Sequence, residues 1–176
     1  YRLSGHAGAP RRLSRRRLIS TGLAAGLGVW GAGVAGLGVL RRSRARHARA
    51  VADAARALLR NSVEGGDEKA ISLLVEAVTL TPDDPGAWGS LALAWRNVAL
   101  ATTPANRVSA TEQAREAIRR ALALDRRQGD ALAAQATLTP MFKAWAETHD
   151  RLEHALAMAP GHREALCANA DLALAT

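Results

Sequence analysis

Aromatic residues are scarce in this sequence, making up only 3% of its 176 residues. This scarcity argues against a β-sandwich or barrel, because strands and their cores are rich in aromatic and β-branched residues. The single cysteine, Cys167, excludes an internal disulfide and a zinc cage built from thiolates. Alanine, leucine and arginine dominate instead, a composition that favours helices. The sequence therefore predicts an all-α fold.

Acidic residues are absent from the first 50 residues, which carry 11 arginines. Residues 51–176 hold 13 Lys and Arg against 16 Asp and Glu, so that part is slightly acidic. The net charge of +8 therefore belongs to a basic head on a mildly acidic body. Charge segregated in this way indicates a local role for the N-terminal arginines, rather than a nucleic-acid surface along the whole chain.

An uncharged stretch of 23 residues, Leu18 to Leu40, lies within this basic head. It is long enough to cross the hydrocarbon core of a bilayer as a helix. Five arginines lie close to each end, where long cationic side chains can reach the lipid headgroups. Because the two sides balance, the positive-inside rule sets no orientation. We expect a membrane anchor that is retained.

Two other interpretations of residues 18–40 stay open. Residues 14–20 (SRRRLIS) resemble a twin-arginine export signal, although the arginine-dense sequence after Leu40 suits signal peptidase poorly. A buried soluble helix is the third interpretation, and the many glycines disfavour it because glycine destabilises helices in water. Membranes tolerate glycine, and the GxxxG pair Gly22 and Gly26 predicts a face for homo-oligomers, unless this spacing is a chance result of the glycine content.

These features divide the chain into four parts. Residues 1–17 form a basic juxtamembrane linker, residues 18–40 the membrane span, residues 41–47 a second basic linker, and residues 48–176 a helical domain. The helical pattern runs to the last residue, so we expect this domain to be incomplete at its C-terminus.

The helical domain contains an internal repeat. Three segments share an Ala/Thr-x3-Leu/Ile-x2-Ala spacing, and their ends are 44 and 34 residues apart. We interpret this as a 34-residue period with one insertion at residues 101–109, which lengthens a turn so that the next helix begins at residue 109. The positions that we expect to pack the repeats are Ala70, Leu74, Ala77, Pro82, Trp88, Leu91, Ala92, Trp95, Ala114, Ile118, Ala121, Leu152, Ala155 and Pro160.

The period and the motif at residues 88–95, Trp-x2-Leu-Ala-x2-Trp, resemble the tetratricopeptide repeat (TPR), a unit of two antiparallel helices. Arg126 stands where that family has proline, and Gln135 and Asn169 stand where it prefers leucine. The resemblance implies a TPR-like α-solenoid of antiparallel helix pairs over residues 48–176, and the uncharged stretch 18–40 predicts one transmembrane helix before it.

The same resemblance implies a concave face that binds a protein or peptide partner. Arg96 and Asn97, near the end of the tryptophan-bearing helix, are the candidate residues on that face. The alternative is that they cap this helix, since cations are favourable at helix C-termini.

No arrangement of residues indicates catalysis, a metal site or a cofactor. His149 and His154 are five residues apart and do not share a helix face as zinc-binding pairs do. Cys167 is predicted to be a small core residue. A nucleophile would need a base, and His162 lies across a turn without an evident third member of a catalytic triad. Because no phosphate-binding glycine loop is present either, we expect a protein that is not an enzyme and needs no cofactor.

The first residues, Tyr1-Arg2-Leu3, resemble the last strand of OmpR/PhoB-type winged-helix domains. With a linker, a span and repeats, this order resembles membrane-bound transcription regulators of the ToxR/CadC type. The resemblance implies a single-pass protein of the bacterial inner membrane with its repeats in the periplasm, which binds DNA only through a domain missing from this chain. Alternatives are an adaptor exported by the twin-arginine route and a docking module of an enzyme whose catalytic domain lies elsewhere.

Overall fold

The computed structural model describes residues 40–61, 65–138 and 144–174. These residues form helices and turns only, and those from Arg44 onward belong to one compact unit. The helices are α1 (residues 40–61), α2 (Gly66–Leu80), α3 (Pro85–Ala101), α4 (Pro104–Leu124), α5 (Gly129–Thr137), α6 (Trp145–Met158) and α7 (Arg163–Leu174).

Consecutive helices pack as antiparallel pairs. The pairs are α1 with α2, α3 with α4, and α5 with α6, and α7 packs on α5 and α6. The first helices of neighbouring pairs also contact one another, since α3 touches α5 and α5 touches α7. The odd-numbered helices therefore share one face of the stack, as expected for a solenoid of helix pairs.

Prolines and an aspartate set the boundaries of the central helices. Asp84 is the N-cap of α3, where its Oδ1 accepts the backbone N–H groups of Gly86 at 2.9 Å and Ala87 at 3.3 Å. Proline occupies the first position of both α3 and α4, where its fixed φ suits a helix and no hydrogen bond is lost. Because Pro104 begins α4, the predicted start at residue 109 is wrong: the insertion lengthens helices rather than a turn.

The core is built mainly from alanine. Leu74 on α2 and Leu152 on α6 are the largest apolar side chains with no exposed surface. Small side chains between them let the helices approach closely. Of the positions expected to pack the repeats, Trp88 and Trp95 are half-buried against the core, and Pro82 and Pro160 lie exposed in turns. The buried ones are Ala70, Leu74, Ala77, Leu91, Ala92, Ala114, Ile118, Ala121, Leu152 and Ala155.

The parts predicted to meet a membrane lie almost wholly outside the described residues. Residues 1–17, the glycines Gly22 and Gly26, and the span up to residue 39 all fall there. Among the helices that the structure describes, none combines the length and the apolar character needed to cross a bilayer. Residues 41–47, predicted as a basic linker, are helical and belong to α1.

Candidate functional site in a cleft of the odd-numbered helices

A cleft of about 260 Å³ opens between the odd-numbered helices. Two leucines give it an apolar floor: Leu93 of α3 is buried, and Leu59 of α1 is half-buried. The exposed arginines Arg60, near the end of α1, and Arg163, at the start of α7, lie at its rim. The cleft therefore combines an apolar surface with cationic edges.

A chain of polar contacts crosses the cleft wall. Arg56 Nε of α1 donates to Ser90 Oγ of α3 at 3.0 Å, and Ser90 Oγ donates to Asp130 Oδ2 of α5 at 2.8 Å. His162 Nε2, in the turn before α7, lies 2.9 Å from Asp130 Oδ1. Four side chains from α1, α3, α5 and the turn before α7 are thus joined in one line, which we call the polar chain: Arg56, Ser90, Asp130 and His162.

Asp130 is the acidic centre of this polar chain. Burial alone would raise the pKa of its carboxyl group. Hydrogen bonds from His162 and Ser90, together with electrostatic attraction to His162 and Arg56, outweigh burial, and the pKa lies below its ordinary value. The carboxylate is therefore held in its charged form in a site where only about a quarter of its side chain is exposed (23%).

His162 serves two neighbours at once. Its Nδ1 accepts the backbone N–H of Ala165 at 3.4 Å in the first turn of α7, which leaves Nε2 to donate to Asp130. Ser90 bonds to Asp130 and not to the imidazole, so the three side chains are not ordered as in a Ser-His-Asp triad.

The structure places the predicted pair Arg96 and Asn97 on α3, within the turn that follows Leu93. Asn97 Nδ2 donates to Asp67 Oδ1 at 3.1 Å, so it ties α3 to α2. Arg96 Nε is buried, and no hydrogen-bond partner for it exists among the residues that the structure describes. Burial lowers the pKa of Arg96, against the opposing effect of the charges of Glu164 and Asp67. Neither residue caps α3.

The remaining candidates lie apart from the cleft lining. His149 on α6 faces Glu153 at 3.3 Å on an exposed helix face. Cys167 is exposed, so its expected role as a core residue is wrong, because no described helix covers that side of α7. Across the described ranges, no three His, Cys, Asp or Glu side chains converge as metal ligands.

Sequence reasoning missed the polar chain. No role was predicted for Ser90, and no partner was found for His162. The structure pairs His162 with Asp130. The separations of the three contacts, 34, 40 and 32 residues, are close to the repeat period. Polar residues recurring near that spacing are the signal that could have found it, because residues one period apart lie on neighbouring repeats.

Comparison with known proteins identifies the fold. No family model and no curated protein matches the sequence. The TPR domain of OM64 from Arabidopsis matches the structure with a TM-score of 0.54 and 17% identity, over 73% of this chain and 96% of that domain. The first TPR domain of Spaghetti (RPAP3), bound to the HSP90 peptide SRMEEVD, matches with a TM-score of 0.50 and 17% identity, over 74% and 94%. The predicted all-α, TPR-like fold is confirmed.

Proposed function

We propose that the helical unit is a protein-interaction module that binds an extended segment of a partner protein in the cleft of the odd-numbered helices. The observation that carries the proposal is the cleft itself, with Leu59 and Leu93 in its floor and arginines at its rim. Concave surfaces of stacked helix pairs suit extended ligands, because several repeats contribute side chains along one line.

The rim favours a segment that combines apolar and acidic residues. Asp130 is already engaged by Ser90 and His162, and Glu164 accepts from Arg163 at 3.2 Å. Arg60 is exposed and forms no ion pair with any described residue. The RPAP3 domain, which shares this fold, was solved with a peptide that contains acidic residues. That likeness supports peptide binding here without naming the ligand.

Site-directed photo-crosslinking tests the proposal. A photoreactive amino acid replaces Arg60 at the cleft rim, and a matched control replaces Arg115, which is exposed on α4 and away from the cleft. We expect binding partners in cells to cross-link from position 60 and not from position 115. Equal labelling from both positions, or labelling from 115 alone, would show that the cleft is not the binding surface.

We further propose that residues 18–40 anchor the chain in a membrane as part of a regulator. The apolar stretch bracketed by arginines supports the anchor, and Tyr1-Arg2-Leu3 with the order of segments supports the regulator. A reporter that is active only outside the cytoplasm, fused after Thr176, tests the topology. Activity in the membrane fraction is expected. A shortened soluble product would favour an exported adaptor, and absence of activity would place the helices in the cytoplasm.

A further inference from the structure

The start of the compact helical unit carries three arginines without bonded counter-ions. They lie on α1, they are exposed, and none of them forms an ion pair with a described residue. Carboxylates beside them are engaged elsewhere. Asp53 accepts from Arg56 at 2.8 Å, and Glu76 of α2 lies 3.0 Å from His47. The three residues, which we call the α1 arginines, are Arg44, Arg46 and Arg49.

The α1 arginines are held on a packed helix and not on a linker. Ala48, Ala52 and Ala55 bury one side of α1 in the stack. Arg46 and Arg49 are three residues apart, so they lie on one face of the helix, where like charges repel each other. A negatively charged surface would relieve this repulsion. Because the backbone between the two residues is already ordered, little further order is lost when such a surface binds them.

The surroundings of the α1 arginines favour phospholipid headgroups as the source of negative charge. The proposed membrane span, residues 18–40, ends next to α1 in the sequence. Residues 41–61 contain no aromatic residue, so α1 offers no platform on which the bases of a nucleic acid could stack. The exposed apolar residues Ala50 and Ala54 are small. The contact would therefore be made with headgroups and not with hydrocarbon.

We propose that the α1 arginines bind the headgroups of anionic phospholipids, so that α1 holds the helical unit at the membrane surface. This inference rests on the proposed membrane anchor. Basic residues next to a span are attracted to anionic lipids, and each arginine near the surface strengthens binding about fivefold. The contact is electrostatic, so salt should weaken it.

A lipid titration tests this on the full chain in nanodiscs. Phosphatidylglycerol is increased stepwise against phosphatidylcholine, and a trace lipid carries a nitroxide quencher on its headgroup. A fluorophore attached through Ala50→Cys, in a Cys167→Ala background, reports the approach of α1 to the headgroups. We expect quenching to rise with phosphatidylglycerol. The double variant Arg46→Gln/Arg49→Gln should weaken the apparent affinity for this lipid about 25-fold, since each arginine contributes about fivefold.

A matched double variant separates the α1 arginines from a change in total charge. Arg115→Gln/Arg119→Gln removes two exposed arginines of α4, which pair with glutamates of the same helix. This variant should leave the response unchanged. Raising the salt from about 0.1 M to about 1 M shortens the screening length from about 10 Å to about 3 Å, and should abolish the dependence on phosphatidylglycerol. Circular dichroism checks that the helices of each variant are intact.

Failure of the inference and failure of the anchor differ in outcome. A chain that stays in the nanodiscs, but whose quenching ignores phosphatidylglycerol or is unchanged in Arg46→Gln/Arg49→Gln, would overturn the lipid contact and leave the anchor intact. A chain that does not insert would overturn the anchor. Sedimentation with phosphatidylglycerol vesicles, and not with phosphatidylcholine vesicles, would then still support lipid binding by the α1 arginines, and its absence would overturn it.

Two competitors test the nature of the anion. Free glycerophosphate that competes with phosphatidylglycerol at matched ionic strength would show that a single phosphate suffices, and would overturn binding to a lipid surface. Duplex DNA that binds the wild-type chain more tightly than phosphatidylglycerol vesicles do, and loses this binding in Arg46→Gln/Arg49→Gln, would overturn the lipid in favour of nucleic acid. We expect neither competitor to displace α1 from the headgroups.

Discussion

The helices α3 and α7 occupy equivalent places in the repeat, 78 residues apart, yet the protein buries them very differently. Eight residues of α3 are buried, against two of α7, Ala165 and Leu172. Trp88 of α3 corresponds to Leu166 of α7, which is 47% exposed. The comparison teaches that the neighbouring helices, and not the helix alone, determine burial: among the described helices α3 contacts α2, α4 and α5, whereas α7 contacts α5 and α6.

Polar contacts accompany the weaker apolar packing near α7. His162 bonds to Asp130 on α5 and accepts the N–H of Ala165, so the turn before α7 is tied to its neighbour by hydrogen bonds. The central α3 takes part in the polar chain through Ser90 and in addition packs Leu91 and a half-buried Trp88 against the core. We expect the two regions to differ in their contribution to the free energy of unfolding as they differ in burial.

The largest effect is expected from Leu74→Ala on α2, whose equivalent on α6 is Leu152. Both side chains are fully buried. We expect a loss of about 3–5 kcal/mol in the free energy of unfolding for Leu74→Ala and about 2–3 kcal/mol for Leu152→Ala, since fewer residues of α6 than of α2 are buried and the surroundings of Leu152 can relax around a cavity. Urea unfolding followed by circular dichroism measures both. An equal or larger loss at position 152 would contradict the comparison.

Gly129→Ala should loosen the α7 region selectively. A Cβ at this position would collide with the ring of His162 and push it away from Asp130. We expect a loss of about 1–3 kcal/mol in stability, with faster amide exchange confined to α7. Gly89→Ala is the matched control, because the three atoms nearest to its Cβ all belong to the movable end of Gln128. There, a weakened α5 cap and a better helix former should nearly cancel. If amide exchange became faster across all helices to the same extent, the contact between His162 and Asp130 would not be what holds α7 in place.

The contribution of Asp130 should depend on pH. Its pKa in the folded chain lies below the ordinary value, so the carboxylate stabilises the fold above about pH 4. That contribution is lost as the pH falls through the lowered pKa. We expect Asp130→Asn to cost about 1–3 kcal/mol near neutral pH and progressively less in stronger acid. Urea unfolding at a series of pH values measures this. A difference that does not shrink in acid would exclude an ionised Asp130 as its source.

The smallest effect is expected from Arg115→Gln on the exposed face of α4. Arg115 pairs with Glu112 at 2.8 Å, and about 60% of each side chain is exposed. Such pairs contribute little because water screens them, so the change in stability should be less than about 0.5 kcal/mol. If Arg115→Gln lost as much stability as Asp130→Asn, the exposed ion pair would contribute as much as the partly buried polar chain, and burial would not explain their difference.

Much of the fold followed from spacing alone. The recurrence of Leu74 and Leu152 within the same alanine pattern predicted two equivalent helices, since a helix must bury one face against its neighbour. Local pattern could not predict where α4 begins, because Pro104 both ends and starts helices. It also placed Cys167 in the core, since an alanine-rich helix gives no information about which neighbours cover it.

The cleft was less predictable than the helices. Arg96 was chosen by its place near the end of a helix, whereas its lack of a bonded counter-ion depends on Asp67 and Glu164, which lie on α2 and α7. Neither Arg56 nor Asp130 was predicted as part of a site from the sequence. Their roles arise only when successive repeats bring them together, and this depends on the twist between repeats, which spacing does not encode.

The polar chain also has a mechanical consequence. Its contacts, from Arg56 through Ser90 and Asp130 to His162, join the odd-numbered helices along one face only. A pull that separates the odd-numbered helices would stretch these bonds. Short, directional bonds break over a small extension, whereas alanine packing yields gradually. The protein should therefore resist forces that separate the odd-numbered helices more stiffly than forces that press them together.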